Sequence, residues 1–348
     1  MSRIAQKDLA QMLGISQTTV SAVLNNNPAI RVSEATRHRI LEAAARANYW
    51  PNRLANSLRA RKARMIAVLY RPVALQVGVR KYMTVVDAIE QQGYTPLLMA
   101  LREEGEEEAC QLIRDLNVDG VVLVGLTGDF IHTTFNDYLY GKVPVVAVDG
   151  DDNSRLIHFR SDRRQGCALL VEHLLSLGYR SFGVLTKEYD GATPYFNHSR
   201  SLVESATEAL ARVNLKPMVI RYRVTMKDDW HDPYHGGQVA MEQLLRRKRC
   251  PRAVICNDDS WAIGAMAACW NHGVRVPEDV ALAGFQNEVQ GLYSHPALTT
   301  VDPPIQALAK QAVERLLAIA NGAPSTPETV YLPCQLVVRR SCGSVSTP

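Results

Sequence analysis

Over roughly the first sixty residues, apolar positions recur at helical spacing; beyond them the pattern changes to short continuous apolar runs separated by amphipathic stretches. Ile4, Leu9 and Leu13 mark a first helix that Gly14 stops. Ser16 is placed to cap a second, Gln17 to about Asn25, with Val20, Val23 and Leu24 on its inner side. After the turn Asn25–Pro28, Ser33 caps a third helix running to about Asn48, with an apolar stripe of Ile40, Leu41, Ala44 and Ala47. Pro51 opens a short segment, Asn52 to Leu58, and the basic string Arg59 to Arg64 reads as a linker.

From Met65 the strand-like runs are Met65–Tyr70, Thr95–Ala100, Gly120–Gly125, Val143–Asp149, Ser181–Thr186, Met218–Tyr222, Ala253–Cys256 and Val280–Gly284. Helical stretches such as Val85–Gln92, Glu106–Leu116, Gly166–Leu177 and Ser201–Val213 lie between them. Near-continuous apolar strands with intervening helices predict parallel sheets covered on both faces, and eight strands sit more comfortably in two sheets than in one. The end of the chain, Ser341–Pro348, reads as a disordered tail.

Charge divides the chain in the same place. Residues 1–64 hold eleven Lys/Arg against three Asp/Glu, a net of +8; the remainder holds 28 against 32, a net of −4. A basic head on a mildly acidic body is the layout expected where one end meets a polyanion, although a solvated basic surface has the same composition. Seven scattered cysteines without a CxxC pair argue against a disulfide framework or a zinc ribbon and fit a reducing compartment. The first residues lack a secretory pattern and no apolar run approaches a membrane span, so a soluble cytoplasmic protein is expected, with no cofactor and no metal.

Helix, glycine-containing turn and helix form a helix-turn-helix pattern, in which the second helix enters the major groove and its first side chains reach base edges. Here those are Gln17, Thr18 and Ser21. Glutamine pairs bidentately with adenine, and threonine offers a hydroxyl and a methyl. A plain three-helix bundle has the same spacing. The segment Pro51–Leu58 adds a second signal. A marginal helix carrying Arg53 and Leu58 suits minor-groove docking with an inserted wedge, although alone it reads sooner as an ordinary linker turn.

Together, IAQKDLAQMLGISQTTVSAVLNN, VSEATRHRILEAAARANYWPNRLANSLR, VDGVVLVG, VPVVAVD, SDRRQGCALLVEHLLSLGYRSFGVL, VRVPEDVALAGF and HPALTTVDPP resemble the LacI/GalR repressor family, in order and over nearly the whole chain. The resemblance implies a small all-α helix-turn-helix head and an α/β core like a type I periplasmic binding protein, two Rossmann-like subdomains joined by three crossovers with a ligand cleft between them. It implies a helix-turn-helix domain over 1–50 and a hinge helix and linker over 51–64. The effector core is expected over 65–340, with an N-subdomain of about 65–162 and 288–321 and a C-subdomain of about 163–287 and 322–340. Gln17 and Thr18 then take the main base-reading positions with Ser21 nearby, Asn52 and Arg53 contact DNA in the hinge, and Leu58 is the wedge with Ala55 beside it. Ala22 stands where the family commonly has Arg, and the loop Asn25–Val32 is slightly longer than usual.

For the effector site the resemblance implies Asp258, or Asn257 if the register slips by one, and Gln286, which stands where a ligand-binding Asp is common. Leu202 occupies the place of a frequent effector-contacting Arg, and Gln76–Val79 replaces an aromatic run. Arg160, Trp261 and Trp230 are further candidates for the cleft, although a buried tryptophan is more often a core residue. The partners implied are double-stranded operator DNA, a small-molecule effector of sugar or related kind, and a second copy of the chain. An enzyme is the first competing reading, since Rossmann-like cores host many chemistries. No GxGxxG, P-loop or GxSxG elbow supports it. His231 and His235 have metal-like spacing but read as a loop around Pro233, and Asp258–Asp259 reads as paired acid–base carboxylates only outside the family. A solute-binding protein is the second competitor and leaves residues 1–64 unexplained.

Overall fold

The computed structural model describes residues 5–24, 30–47, 49, 63–70, 76–101, 105–126, 139–150, 155–189, 196–225 and 231–343. The chain divides into two compact units, 1–63 and 64–348.

In the first unit, α1 (Gln6–Leu13) ends at Gly14, whose φ of 66° is the left-handed conformation that glycine adopts without strain. α2 (Gln17–Leu24) follows after a tight turn, and α3 (Glu34–Arg46) starts at Ser33, whose hydroxyl accepts from Thr36 N at 3.3 Å. Leu9, Ala10, Val20, Val23, Ile40 and Ala44 pack into one small core. One expectation is corrected: Leu41 is 48% exposed and lies off the buried stripe of α3. Ala22, in place of the family's Arg, is buried.

The second unit holds two six-stranded sheets. In the first, β1 (Met65–Tyr70), β2 (Thr95–Ala100), β3 (Gly120–Val124), β4 (Val145–Val148), β5 (Ile157–Asp162) and β11 (Glu328–Pro333) are all parallel, in the order β11-β5-β4-β3-β1-β2. The second contains β6 (Phe182–Tyr189), β7 (Met218–Val224), β8 (Ala253–Cys256), β9 (Ala281–Phe285), β10 (Thr299–Asp302) and β12 (Gln335–Val337), in the order β12-β10-β9-β8-β6-β7; only β12 is antiparallel. Each sheet reverses direction beside its first strand, the doubly wound arrangement that places binding crevices at the carboxyl ends of strands.

Helices α4 (Gln76–Gln91) and α5 (Glu106–Asp115) belong to the first sheet; α6 (Arg163–Ser176), α7 (Phe196–Ala211), α8 (His235–Leu245), α9 (Asp259–Asn271) and α10 (Val289–Tyr293) belong to the second. The chain crosses between sheets three times: from β5 into α6, from β10 into α11 (Ile305–Ala320), and from β11 into β12. α11 returns to the first sheet, burying Leu308, Ala309, Ala312, Val313 and Leu316 against Ile66, Val68, Val122 and Val146.

These crossings correct the expected subdomain limits. Residues 299–302 lie in the second sheet and 328–333 in the first, because β10 pairs with β9 and β11 with β5. The expected tail also begins too early. Ser341 and Cys342 are buried, and the Ser341 hydroxyl donates to Leu282 O at 2.6 Å. His235, expected in a loop, is the first residue of α8. All seven cysteines are unpaired, and no helix among the described residues is long and apolar enough to cross a membrane.

Candidate functional site

In the first unit, the start of α2 exposes Gln17 and Thr18 and leaves Ser21 half-buried. The Ser16 hydroxyl accepts from Thr19 N at 3.1 Å and lies 2.8 Å from Thr19 Oγ1. Thr19 is thereby committed to the helix terminus, and Gln17 and Thr18 present their donors and acceptors outward. Lys7, Arg31, Arg39 and Arg46 are exposed on the same unit. Asn52, Arg53, Ala55, Leu58 and Trp230 lie outside the described residues.

In the second unit the polar residues gather at strand ends. Asp258 follows β8 and caps α9, accepting from Trp261 N at 2.9 Å. Its other oxygen lies 3.0 Å from Lys187 Nζ at the end of β6 and accepts from Asn257 Nδ2 at 3.2 Å. Asn257 Oδ1 in turn accepts from Thr186 Oγ1 at 3.3 Å. Both candidate registers therefore fall in one buried network. Asp259 lies behind it, fully buried, accepting from Thr300 Oγ1 at 2.5 Å and Glu288 N at 2.7 Å. Burial raises its carboxyl to about 7, with the neighbouring Glu288 and Asp258 charges adding to the effect against these two hydrogen bonds.

At the end of β9, Gln286 is buried, with a φ of 116°, and its Oε1 has no hydrogen-bond partner among the described residues. A buried acceptor without a donor is costly, and a ligand hydroxyl supplies one. Arg80, on α4, donates to Gln286 O and Asn287 O, both at 3.2 Å, and to Asp302 Oδ1 at 2.9 Å. This fork holds the helix that follows β1 against the ends of β9 and β10, so the carboxyl ends of the two sheets face each other. On the opposite wall, Asp149 follows β4 and accepts from Ser161 N at 2.9 Å, while Lys81 Nζ lies 2.8 Å from it.

Two candidates are placed elsewhere. Trp261 is fully buried, packed with Met241, Leu244 and Met266, and supports the site from beneath, with Lys187 Nζ 5.7 Å from its ring centre; this corrects its expected place on the cleft surface. Arg160 alternates with Ser161 along β5 and so takes the opposite face of that sheet from the residue that binds Asp149. Leu202 is core, packed with Phe182 and Ala206. Arg80, Lys81, Asp149 and Lys187 were missed by motif reading. Asp149 and Lys187 carried a legible signal, a charged residue closing an apolar run, which marks the carboxyl end of a strand. Among the described residues no group of three His, Cys, Asp or Glu is placed to hold a metal. Burial pushes the Cys110, Cys167, Cys269 and Cys334 thiols up to about 12, so these are neutral packing groups.

Comparison with known proteins gives two family matches: "Bacterial regulatory proteins, lacI family" over residues 6–52 and "Periplasmic binding protein-like domain" over residues 171–342. The HTH-type transcriptional regulator reg1 of Streptomyces lividans is 32% identical, over 97% of this chain and 96% of its own length. Among solved structures, a lac repressor dimer bound to operator and the anti-inducer ONPF superposes with a TM-score of 0.82 at 24% identity, over 98% of this chain and 99% of that one. A complex of the transcriptional regulator CelR with cellobiose superposes with a TM-score of 0.67 at 22% identity, over 97% and 100% of the two chains.

Proposed function

The chain belongs to the LacI/GalR family of transcriptional regulators, and from that premise we propose that it is a repressor in which a homodimer grips a pseudo-palindromic operator and a small molecule sets the strength of that grip. The observation that carries this reading is the exposed pair Gln17 and Thr18 on the first turn of α2, within a head bearing eleven basic residues. Two heads are needed because one recognition helix offers few base contacts, and two-fold protein symmetry matches two-fold DNA symmetry. Asn52, Arg53, Ala55 and Leu58 form the hinge in this reading, with Leu58 wedged into the central base step and opening the minor groove.

The effector lies between the facing strand ends, against Asn257, Asp258 and Gln286. A carbohydrate or related metabolite fits this polar wall, and the cellobiose held by the CelR neighbour supports that class. The effector moves the DNA-binding equilibrium only by its unequal affinity for the two states. No catalytic step enters this account, and its place of action is the cytoplasm.

Selection of random duplexes by the full-length protein tests the reading. One paired sequence motif is expected to be enriched, with binding that weakens steeply as salt rises, by a log–log slope of roughly 0.9 per neutralised phosphate. Replacing Gln17 and Thr18 is expected to change the preferred bases at symmetric positions, at about 1–3 kcal/mol per lost bidentate contact. Enrichment of no motif overturns the proposal.

A further inference from the structure

Three cations around the facing strand ends each have a carboxylate of their own: Arg80 with Asp302 at 2.9 Å, Lys81 with Asp149 at 2.8 Å and Lys187 with Asp258 at 3.0 Å. Arg163 does not. It is the first residue of α6, at the crossing from the first sheet to the second, and its guanidinium carbon lies 4.5 Å from the centre of the Phe285 ring. Its Nε and Nη2 are buried and have no hydrogen-bond partner among the described residues.

This placement is built into the packing. Gly166, one turn along α6, lies so close to Val301, Cys334 and Phe285 that a Cβ would stand 2.8 Å from Val301 and 2.9 Å from Cys334. The Gln165 amide locks the same turn, accepting from Cys334 N at 2.9 Å and donating to Cys334 O at 3.3 Å. The turn that carries Arg163 is therefore fixed, and its guanidinium lies over the Phe285 ring. It feels both walls of the cleft: burial pulls its pKa down, and the Asp149 and Asp258 carboxylates, one from each sheet, act against that pull. Each of those carboxylates is already neutralised by a lysine, so the positive charge of Arg163 is left over. An arginine stays charged at any physiological pH, and its planar fork matches a carboxylate or phosphate with two parallel hydrogen bonds. A buried, charged, unbonded fork costs free energy in the empty protein, and that cost is recovered when an oxyanion enters.

We propose that Arg163 is the anion-binding residue of the effector site, and that the effector is a small metabolite bearing a carboxylate or phosphate group. The inference rests on the reading of the facing strand ends as the effector site. It adds a charge requirement that a neutral sugar does not meet.

The test uses matched acid and neutral probes: D-galacturonate with D-galactose, D-gluconate with D-glucose, and D-glucose 6-phosphate with D-glucose. Each is titrated calorimetrically into full-length wild type, R163Q and R163K at constant ionic strength. At least one acid is expected to bind wild type about tenfold or more tightly than its neutral partner. R163Q is expected to lose that preference, and R163K to keep part of it, since lysine retains the charge without the fork. The carboxylate and phosphate probes separate the two sources of oxyanion. Thermal melting checks that R163Q folds; where it does not, the partial loss in R163K decides. Equal binding of acid and neutral probes, no binding of any acid, or a preference that survives in R163Q overturns the inference. Operator binding measured alongside separates this from the effector reading. A neutral sugar that alters operator affinity leaves that reading standing and removes the anion. An acid that binds through Arg163 without altering operator affinity keeps the anion site and removes the coupling.

Discussion

Lys187 Nζ lies 3.0 Å from Asp258 Oδ2, with the two side chains only 2% and 5% exposed. The same aspartate caps α9 through Trp261 N, so one carboxylate neutralises a strand-end cation and starts the helix after the next strand. Breaking a buried pair on one side strands the other charge, whereas removing both charges does not.

Lys187→Met is therefore expected to cost about 3–5 kcal/mol, because Asp258 is left charged in a dry site. Adding Asp258→Ser restores much of that loss, since serine keeps the cap and removes the orphan charge. Urea denaturation of the single and double variants measures both. A double variant less stable than Lys187→Met means that the pair is not balanced in this way.

Asp259 makes stability depend on pH. Its carboxyl sits near 7 in the folded protein against 3.8 as its ordinary value. The folded chain then binds more protons than the unfolded chain between those values, and stability from this group falls as pH rises through that window, by at most about 1.4 kcal/mol per pH unit. Chemical denaturation at pH 5, 6, 7 and 8 is expected to show a falling component that Asp259→Asn flattens. An unchanged slope in the variant assigns the dependence to another group.

Gly264 and Gly237 bring α8 and α9 into backbone contact. A Cβ on Gly264 would collide with Tyr234 O, and one on Gly237 with Trp261 O. Either glycine→alanine change forces the helices apart and is expected to cost about 1–3 kcal/mol or more. The loss appears as a lower urea midpoint for the second unit, while Gly273→Ala, whose Cβ meets nothing within 4 Å but whose φ is 69°, reports the backbone strain alone.

Ser16→Ala removes the hydroxyl that receives Thr19 N and is expected to destabilise α2 by about 1 kcal/mol. Because Gln17 and Thr18 remain, operator affinity should fall by a similar factor for all duplexes while the preferred sequence stays the same. Competition binding against single-base variants distinguishes this from a change in readout.

Much of the architecture was legible in the chain. The periodicity of Leu9, Val20, Val23 and Ile40 places the helices of the head, and apolar runs such as Gly120–Val124 place the strands. The four strands that were missed, β5, β10, β11 and β12, include polar or exposed positions such as His158, Thr299, Glu328 and Gln335, so no apolar run announces them. α9 has the opposite problem: it is buried on nearly every side, and its residues show no amphipathic contrast.

What the sequence alone determined is local: where helices start and stop, which runs are strands, and which end of the chain is basic. Each depends on residues a few positions apart and on backbone propensities that act without a tertiary partner. Only the tertiary structure decided that Trp261 is packed in the core, that β10 and β11 enter opposite sheets, and that, among the described residues, Lys81, Lys187 and Arg80 are matched with carboxylates while Arg163 is not. These are pairings between positions up to 222 residues apart. Whether a charge is buried and neutralised depends on what the fold brings against it, which is a property of the packed molecule and of no short stretch of its chain.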